Sequence, residues 1–472
     1  MKFELNNRII GIETELTVVL NEDSEIEIPE SDPAYADPEN IFAFIELPQF
    51  IRNGGRIYWD NSLLEVCTPE NRSPIKVARY NEVMHRLAWD ELLKDCRISG
   101  YSYEVYRTNT DNHVLSLDEA HFAATHENYE VDISKFPEEK WKLLTPFFIA
   151  RVLIDGAGIH SNDGNFYISQ QAPTVKVFSS ALKPKERGII KETDQSLPLN
   201  SNPNRQRFQV SCGDSKVSPF ATMLTTGVTS LILNLAENNK FIFRDYDINF
   251  LHEDFCGVSR EGINYRFSGF GGKNITALEI LKKYYELCNA LYYGQSKDYD
   301  EVLDAWSNVL NSLELNRDDD LIGKLDWKTK EYIIDAFMND PDTSNGLSAL
   351  QSVSLEYHRI DPGQDLFDAL AIDGKVLFPG RKSYRQWNRS IEISKNTPPS
   401  DTRAYGRGNI VKLGEEFNEK MEPKDPLIKE SSWHRLVLEF GGEQLEVSLP
   451  SPEKTYSWEV NKVQRFFKKF VF

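Results

Sequence analysis

The sequence predicts an α+β fold. Strand-like segments dominate its first half and amphipathic helices its second, with no βαβ alternation and no internal repeat. A hairpin followed by one short helix then closes the chain as a separate small unit.

Residues 8–20, RIIGIETELTVVL, are rich in β-formers and read as a strand. The acidic stretch 21–40 carries three prolines and reads as a loop. Residues 41–51, IFAFIELPQFI, lead to Asn53-Gly54-Gly55, which is turn chemistry, and RIYWD leaves that turn as a strand. Residues 75–96 place Val77, Val83, Leu87 and Leu92 at helical spacing. YSYEVYRTNT and THENYEVDI read as strands around a polar stretch. Residues 144–154, LTPFFIARVLI, predict a buried helix ending at Gly156; NFYISQQA and RQRFQVSCGD predict strands; MLTTGVTSLILNLAEN predicts an apolar helix. Helical stripes then run from TALEILKKYYELCNAL to KLDWKTKEYIIDAFM. SKNTPPSDTRAYGRGN, rich in Pro, Gly, Ser and Asn, reads as a boundary. Residues 433–472 form the terminal hairpin, turning at Gly441-Gly442, and its helix.

Composition bounds the function. The chain has 472 residues, 40% hydrophobic and 27% charged, with 27 Phe, 20 Tyr and 8 Trp, enough for a large core. Its length suggests more than one domain, or one large domain with an appendage. A net charge of −19 argues against a general nucleic-acid binder. Lys176, Lys183, Lys185, Arg187 and Lys191 form one basic cluster, read as a solvated loop. Cys67, Cys96, Cys212, Cys256 and Cys288 show no CxxC pattern, which fits free thiols in a reducing compartment. The N-terminus has no apolar signal-type region, and no apolar run reaches the roughly 20 residues of a membrane helix. The expectation is a cytoplasmic protein with no membrane partner.

Three segments bring acids into what should be sheet interior. Glu13 and Glu15 share one face of the first strand; Arg56, Tyr58 and Asp60 share one face of the second, with Glu65, Thr68 and Glu70 close behind; Thr125 to Tyr129 supply His126, Glu127 and Asn128. Buried carboxylates stay ionised only beside a cation. Oxygen-rich sites with few histidines suit magnesium, which commonly accompanies nucleotide phosphates. The alternative is that the acids face solvent on a one-sided sheet. No P-loop, GxGxxG or GxSxG motif is present, so any nucleotide is held by the sheet itself.

These motifs resemble those of the Pup ligase and depupylase family, within the glutamine-synthetase-like carboxylate–amine ligases. The matching stretches run in order: RIIGIETE, NGGRIYWD, LEVCTPE, THENYEV, CGDSKVS, GGKNITALEILKKYY, KLDWKTK, EYHRID, TPPSDTRAYGRG and WHRLVLEF. The resemblance implies a curved antiparallel sheet packed on helices over residues 1–412 and a small C-terminal α/β domain over 425–472. It implies an ATP- and Mg2+-dependent enzyme that phosphorylates the C-terminal Glu of a small Pup-like modifier and passes it to a substrate lysine as an isopeptide bond. It also implies roles by position: Glu13, Tyr58 and Glu65 at the metal, Arg56, Thr68 and Trp433 at ATP, and Asp60 as catalytic base. Glu15 would support Glu13, and His126 and Asn128 are equally ligands or internal hydrogen-bonding groups.

The chain departs from the family in ways that bear on how phosphate or modifier is held. LLE stands where HPE is usual, Gln171 where an arginine is usual, and Gln209 where a histidine is usual. GIETE and the short interval of about 35 residues before NGGRIYWD resemble the ligase. The gap from Asp60 to Glu65 resembles the depupylase. The expectation is a ligase. A depupylase-like hydrolase or deamidase, a ligase for a small amino acid or peptide, and a modifier-binding protein without catalysis are the alternatives.

Overall fold

The computed structural model describes residues 3–20, 49–60, 63–99, 102–110, 123–181, 187–191, 203–339, 346–421 and 428–470. The acidic loop 21–40, most of 41–51, the polar stretch 111–122, Lys183 and Lys185, the Cys96 side chain and the connector 422–427 lie outside them.

The strands are β1 (Ile10–Leu20), β2 (Gln49–Phe50), β3 (Arg56–Asp60), β4 (Leu63–Cys67), β5 (Tyr103–Tyr106), β6 (Thr125–Asp132), β7 (Ile159–His160), β8 (Phe166–Tyr167), β9 (Val175–Ser180), β10 (Arg187–Lys191), β11 (Arg205–Gly213), β12 (Ile428–Ser431), β13 (Arg435–Phe440) and β14 (Glu443–Ser448). The main sheet is ordered β2-β3-β4-β1-β6-β11-β10-β9, with β5 pairing the far end of β1. Its strands pair antiparallel except β9 and β10, which run parallel. This corrects the antiparallel expectation at one edge. It also corrects the loop assigned to the basic cluster, since Lys176, Arg187 and Lys191 lie on β9 and β10. The β-branched alternation of Val175 and Val177 was the missed signal.

The register gives the sheet two chemically different faces. Ile10, Ile12, Tyr129, Val131, Phe208 and Val210 point to the main core, packed on helices α1 (Pro74–Ser99), α2 (Pro219–Glu237), α3 (Ala277–Tyr292) and α4 (Lys297–Glu314). Full burial of such side chains contributes about 1.5–3 kcal/mol each. Local signals set the helix starts. The Ser218 hydroxyl accepts from Ala221 N, and Thr276 with Glu279 forms a capping box. α2 is long and apolar enough to cross a membrane by composition, unlike the expectation above, but it is buried inside the protein.

Two expected elements are interrupted. Residues 145–155 form two short helices that meet at buried Arg151, whose guanidinium reaches Glu127 at 2.7 Å and Asp155 at 3.5 Å. In NFYISQQA only Phe166 and Tyr167 pair as strand. The backbone N–H groups of Gln170 and Gln171 donate instead to the Asp214 carboxylate, at 2.9 and 3.1 Å.

The stretch expected as a boundary becomes helical at Arg403. Helix α5 (Arg403–Met421) sends Ile410, Val411 and Phe417 into a second core, with Leu436, Leu438 and Val447 of the β12–β13–β14 sheet and Val463 and Phe466 of helix α6 (Ser457–Lys468). This unit is pinned to the main sheet by Glu70, just after β4. The buried Glu70 carboxylate takes Arg403 Nε at 2.6 Å and Arg407 Nη2 at 2.5 Å. Arg407 also donates to Gly54 O at 2.9 and 2.6 Å. Here backbone meets backbone: a Cβ on Gly408 would lie 2.4 Å from Arg52 O, and Gly54 has φ +83°.

Burial alone would raise the pKa of Glu70, but the Arg407 and Arg403 charges outweigh it and hold it at about 2. A depressed carboxyl pKa stabilises above its unfolded value near 4.5 and loses that contribution as pH falls toward 2. Glu70→Gln should cost about 3 kcal/mol at neutral pH. The variant should also lose the part of the wild type's pH dependence below pH 4.5 that Glu70 contributes, as read by denaturant unfolding between pH 2 and 7.

Candidate active site

The face opposite the core carries the chemistry. One row across the strands reads Arg56, Cys67, Glu13 and His126, each paired with the next. The adjacent row reads Tyr58, Glu65 and Glu15. The period of two along each strand therefore turns three separate acidic motifs into one patch.

Glu13 is the satisfied member. Gln209 Nε2 donates to its Oε2 at 3.0 Å, His126 Nδ1 stands 3.4 Å from the same oxygen, and Arg207 Nη1 is 3.5 Å from Oε1. Burial pushes its pKa up, but His126 and Arg207 overcome this and hold it below the ordinary value. Glu65 is the strained member. Desolvation first, then the neighbouring Glu13 charge, raises its pKa to about 7. Tyr58 donates its hydroxyl to Glu65 Oε1 at 2.5 Å, and the Cys67 thiol lies 3.3 Å from the same oxygen. Tyr58 thus holds Glu65 in place, and burial lifts the phenol far above its usual range. Glu15 accepts from Ala124 N at 2.5 Å.

Two sets of donor atoms converge on Glu65. Ligand atoms of Glu13, Glu65 and Cys67 lie within 4.8 Å of one another, as do those of Glu15, Asp60 and Glu65. Crowded carboxylates of which one is held protonated by the others are what a divalent cation relieves, and oxygen donors suit a hard one. The residues present fit such an ion.

Beside the acids opens a cleft enclosing about 680 Å³ of empty space, its solvent-facing mouth included. Its floor is Gly11, Glu13, Cys67, Thr68 and Asn128, and its walls include Arg207, Arg403, Trp433 and Pro452. Trp433 reaches it from the C-terminal unit, packed edge-on against Phe50 at 5.3 Å and against the Arg407 guanidinium at 4.7 Å. Thr68 lines the cleft, but its hydroxyl accepts from Ile12 N at 2.9 Å and so also fixes β1. Arg56 lies against the Tyr58 ring at 3.9 Å, held by Gln49. Asp60 stands at the exposed end of β3.

The seven residues singled out in the sequence thus fall on two connected patches, the acids with Tyr58 and Asp60, and the cleft with Thr68 and Trp433, with Arg56 at the β2–β3 edge. Sequence reasoning gave no cleft role to Arg403, whose signal was its place in TPPSDTRAYGRG, and none to Cys67. The two glutamine departures separate. Gln209 lies on Glu13. Gln171 is buried, and its Nε2 donates to Ala123 O at 3.0 Å, next to the Ala124 N–H that Glu15 accepts.

Comparison with known proteins follows this geometry. The fold matches the solved complex of the prokaryotic ubiquitin-like protein Pup and its ligase PafA, with a TM-score of 0.80 over 98% of this chain and 92% of that one at 24% identity. It also matches PafA in complex with ADP, with a TM-score of 0.73 over 96% and 98%. The Pup-ligase protein family model matches residues 21–422, and the chain belongs to that family. Among its relatives are the Pup–protein ligase of Mycolicibacterium gilvum, 28% identical over 87% of this chain and 91% of the relative, and the depupylase of Acidothermus cellulolyticus, 26% identical over 85% and 77%.

The raised Glu65 pKa would make the binding of such an ion pH-dependent. A cation needs Glu65 ionised, so its affinity should rise by up to about tenfold per pH unit below 7 and level off above it. Calorimetric titration of the nucleotide-free protein from pH 5.5 to 8 checks this, and Glu65→Gln should flatten the curve.

Proposed function

We propose that this protein is an ATP- and Mg2+-dependent ligase acting in the cytoplasm. It joins the C-terminal Glu of a small Pup-like modifier to lysines of other proteins through an acyl phosphate. The observation that carries this reading is the carboxylate patch at the edge of an open cleft walled by Arg207 and Arg403, on the fold of a protein solved with Pup and with ADP. An open cleft admits a flexible modifier, where a small-substrate ligase would enclose its ligand.

Glu13 and Glu65 would hold magnesium, with Tyr58 orienting Glu65, and the ion would offset charge on the transferring phosphoryl group. Trp433, Thr68 and Arg403 would position the nucleotide. A lysine amine is protonated at neutral pH, with a pKa near 10.4. Asp60, at the open end of β3, takes that proton so that the nitrogen lone pair can attack the activated carbonyl. The phosphate then leaves and the isopeptide bond remains.

A second reading is isopeptide cleavage, with Asp60 activating water. The four residues between Asp60 and Glu65 and the nearly equal identity to a depupylase favour it.

Incubation with Mg·ATP and a Pup-like modifier ending in Glu, followed by intact mass, tests both. ADP release matched by a modifier–lysine adduct supports the ligase; cleavage of a preformed conjugate without matching ATP use supports the hydrolase. Asp60→Asn should keep nucleotide binding and lose bond formation by about a hundredfold or more. Glu13→Ala should instead weaken Mg·ATP binding in a calorimetric titration. A fully active Asp60→Asn variant would remove Asp60 as the base.

A further inference from the structure

Lys330 lies outside the site described above, on the helix Asp326–Met338, and is fully buried. Its Nζ is 2.5 Å from Gly158 O and 2.8 Å from His358 Nε2. Gln170 Nε2 meets the same two acceptors, at 3.1 and 2.9 Å. Two donors on His358 Nε2 require that nitrogen to be unprotonated and the imidazole to be neutral. Among the described residues no carboxylate stands within 4.0 Å of Lys330 Nζ. The acids that act on it from farther off, Asp326 and Asp214, are committed elsewhere. Asp326 accepts from Ser218 N and the Tyr357 hydroxyl, and Asp214 accepts from Ala157 N and the Ser169 hydroxyl as well as from Gln170 and Gln171.

An ammonium brings three N–H donors and a charge, whereas a neutral amine brings two donors and no charge. Two uncharged acceptors in a sealed interior fit the amine, because a buried charge without a counter-ion is costly. Burial accordingly pushes the Lys330 pKa down to about 7, and burial with the Lys330 and Arg107 charges pushes His358 well below its ordinary value. Half-buried His160 on β7 and the Tyr357 ring, 5.6 Å from Lys330 Nζ, also face the group. We infer that Lys330 and His358 clamp Gly158 and Gln170 in a form that needs Lys330 as a neutral amine, so that proton uptake at Nζ favours release of the clamp. A released lysine has its ordinary pKa near 10.5, so release becomes easier as pH falls from there toward 7 and changes little below. The clamp reaches the active face through hydrogen bonds. Gln170 Oε1 accepts from Asn109 N at 2.8 Å, Asn109 Nδ2 donates to Ala123 O at 3.3 Å, and Ala124 N donates to Glu15. Release therefore loosens the backbone that seats Glu15.

The experiment is amide hydrogen exchange of the full-length protein from about pH 7 to 9, read by mass spectrometry and corrected for intrinsic exchange. Protection of peptides within residues 156–171 should rise by up to about tenfold per pH unit across that range. In Lys330→Met the same peptides should stay protected and lose the rise. Lys330→Gln, which keeps an N–H donor but cannot titrate, gives the same comparison if the methionine variant does not fold. Protection that stays flat with pH in the wild type would overturn the proposal without recourse to any variant. A rise that persists in the folded variant would assign the proton to another group and overturn it equally.

Discussion

The rest of the molecule depends on the buried carboxylate of Glu70. It follows directly on the strand that supplies Glu65 and Cys67, and it takes two guanidiniums from the first turns of the helix that opens the C-terminal unit. Desolvating three charges is expensive, so such a cluster adds less net stability than its short distances suggest. What it adds is position. Rotation of α5 would break the bond from Arg407 to Gly54 O and drive Gly408 into the Arg52 carbonyl. With α5 fixed, Trp433 and Arg403 stand over the sheet, and a flat acidic face becomes a cleft.

Within that cleft the sheet imposes charge crowding. Strand spacing near 4.8 Å leaves cross-strand carboxylates no room to separate. The protein resolves this unevenly. Glu13 is given His126, Gln209 and Arg207, which hold its pKa below the ordinary value, while Glu65 has a phenol and a thiol that do not outweigh its burial and the Glu13 charge, and its pKa rises to about 7. A cation bound there would displace that proton, so its binding would be coupled to proton release.

Much of this was legible in the sequence because it followed short-period rules. Alternation placed Glu13 with Glu15 and Arg56 with Tyr58 and Asp60, and the register kept every one of those relations. Helical spacing gave α1 to within a few residues. What was illegible depended on distant partners. The Gln170–Gln171 backbone gives up strand pairing because Asp214, more than forty residues on, accepts its N–H groups. The helix starting at Arg403 hides in a stretch whose glycines serve close backbone approach, not a linker. Cys67 reads as an apolar core residue from its neighbours, although its place two residues after Glu65 on one strand puts it on the acids' face. Gln209, singled out in the sequence only as a departure, bonds Glu13 through its Nε2, a contact that depends on a residue nearly two hundred positions away.

Helix α2 has a consequence for biosynthesis. It is buried along its length by α1, synthesised before it, and by α3 and α4, which lie some forty to eighty residues further on. During translation a 19-residue apolar segment, indistinguishable by composition from a membrane span, therefore leaves the ribosome before its covering helices exist. For that interval the nascent chain exposes an apolar surface of the kind that makes incompletely folded chains prone to aggregate, until residues 277–314 cover it.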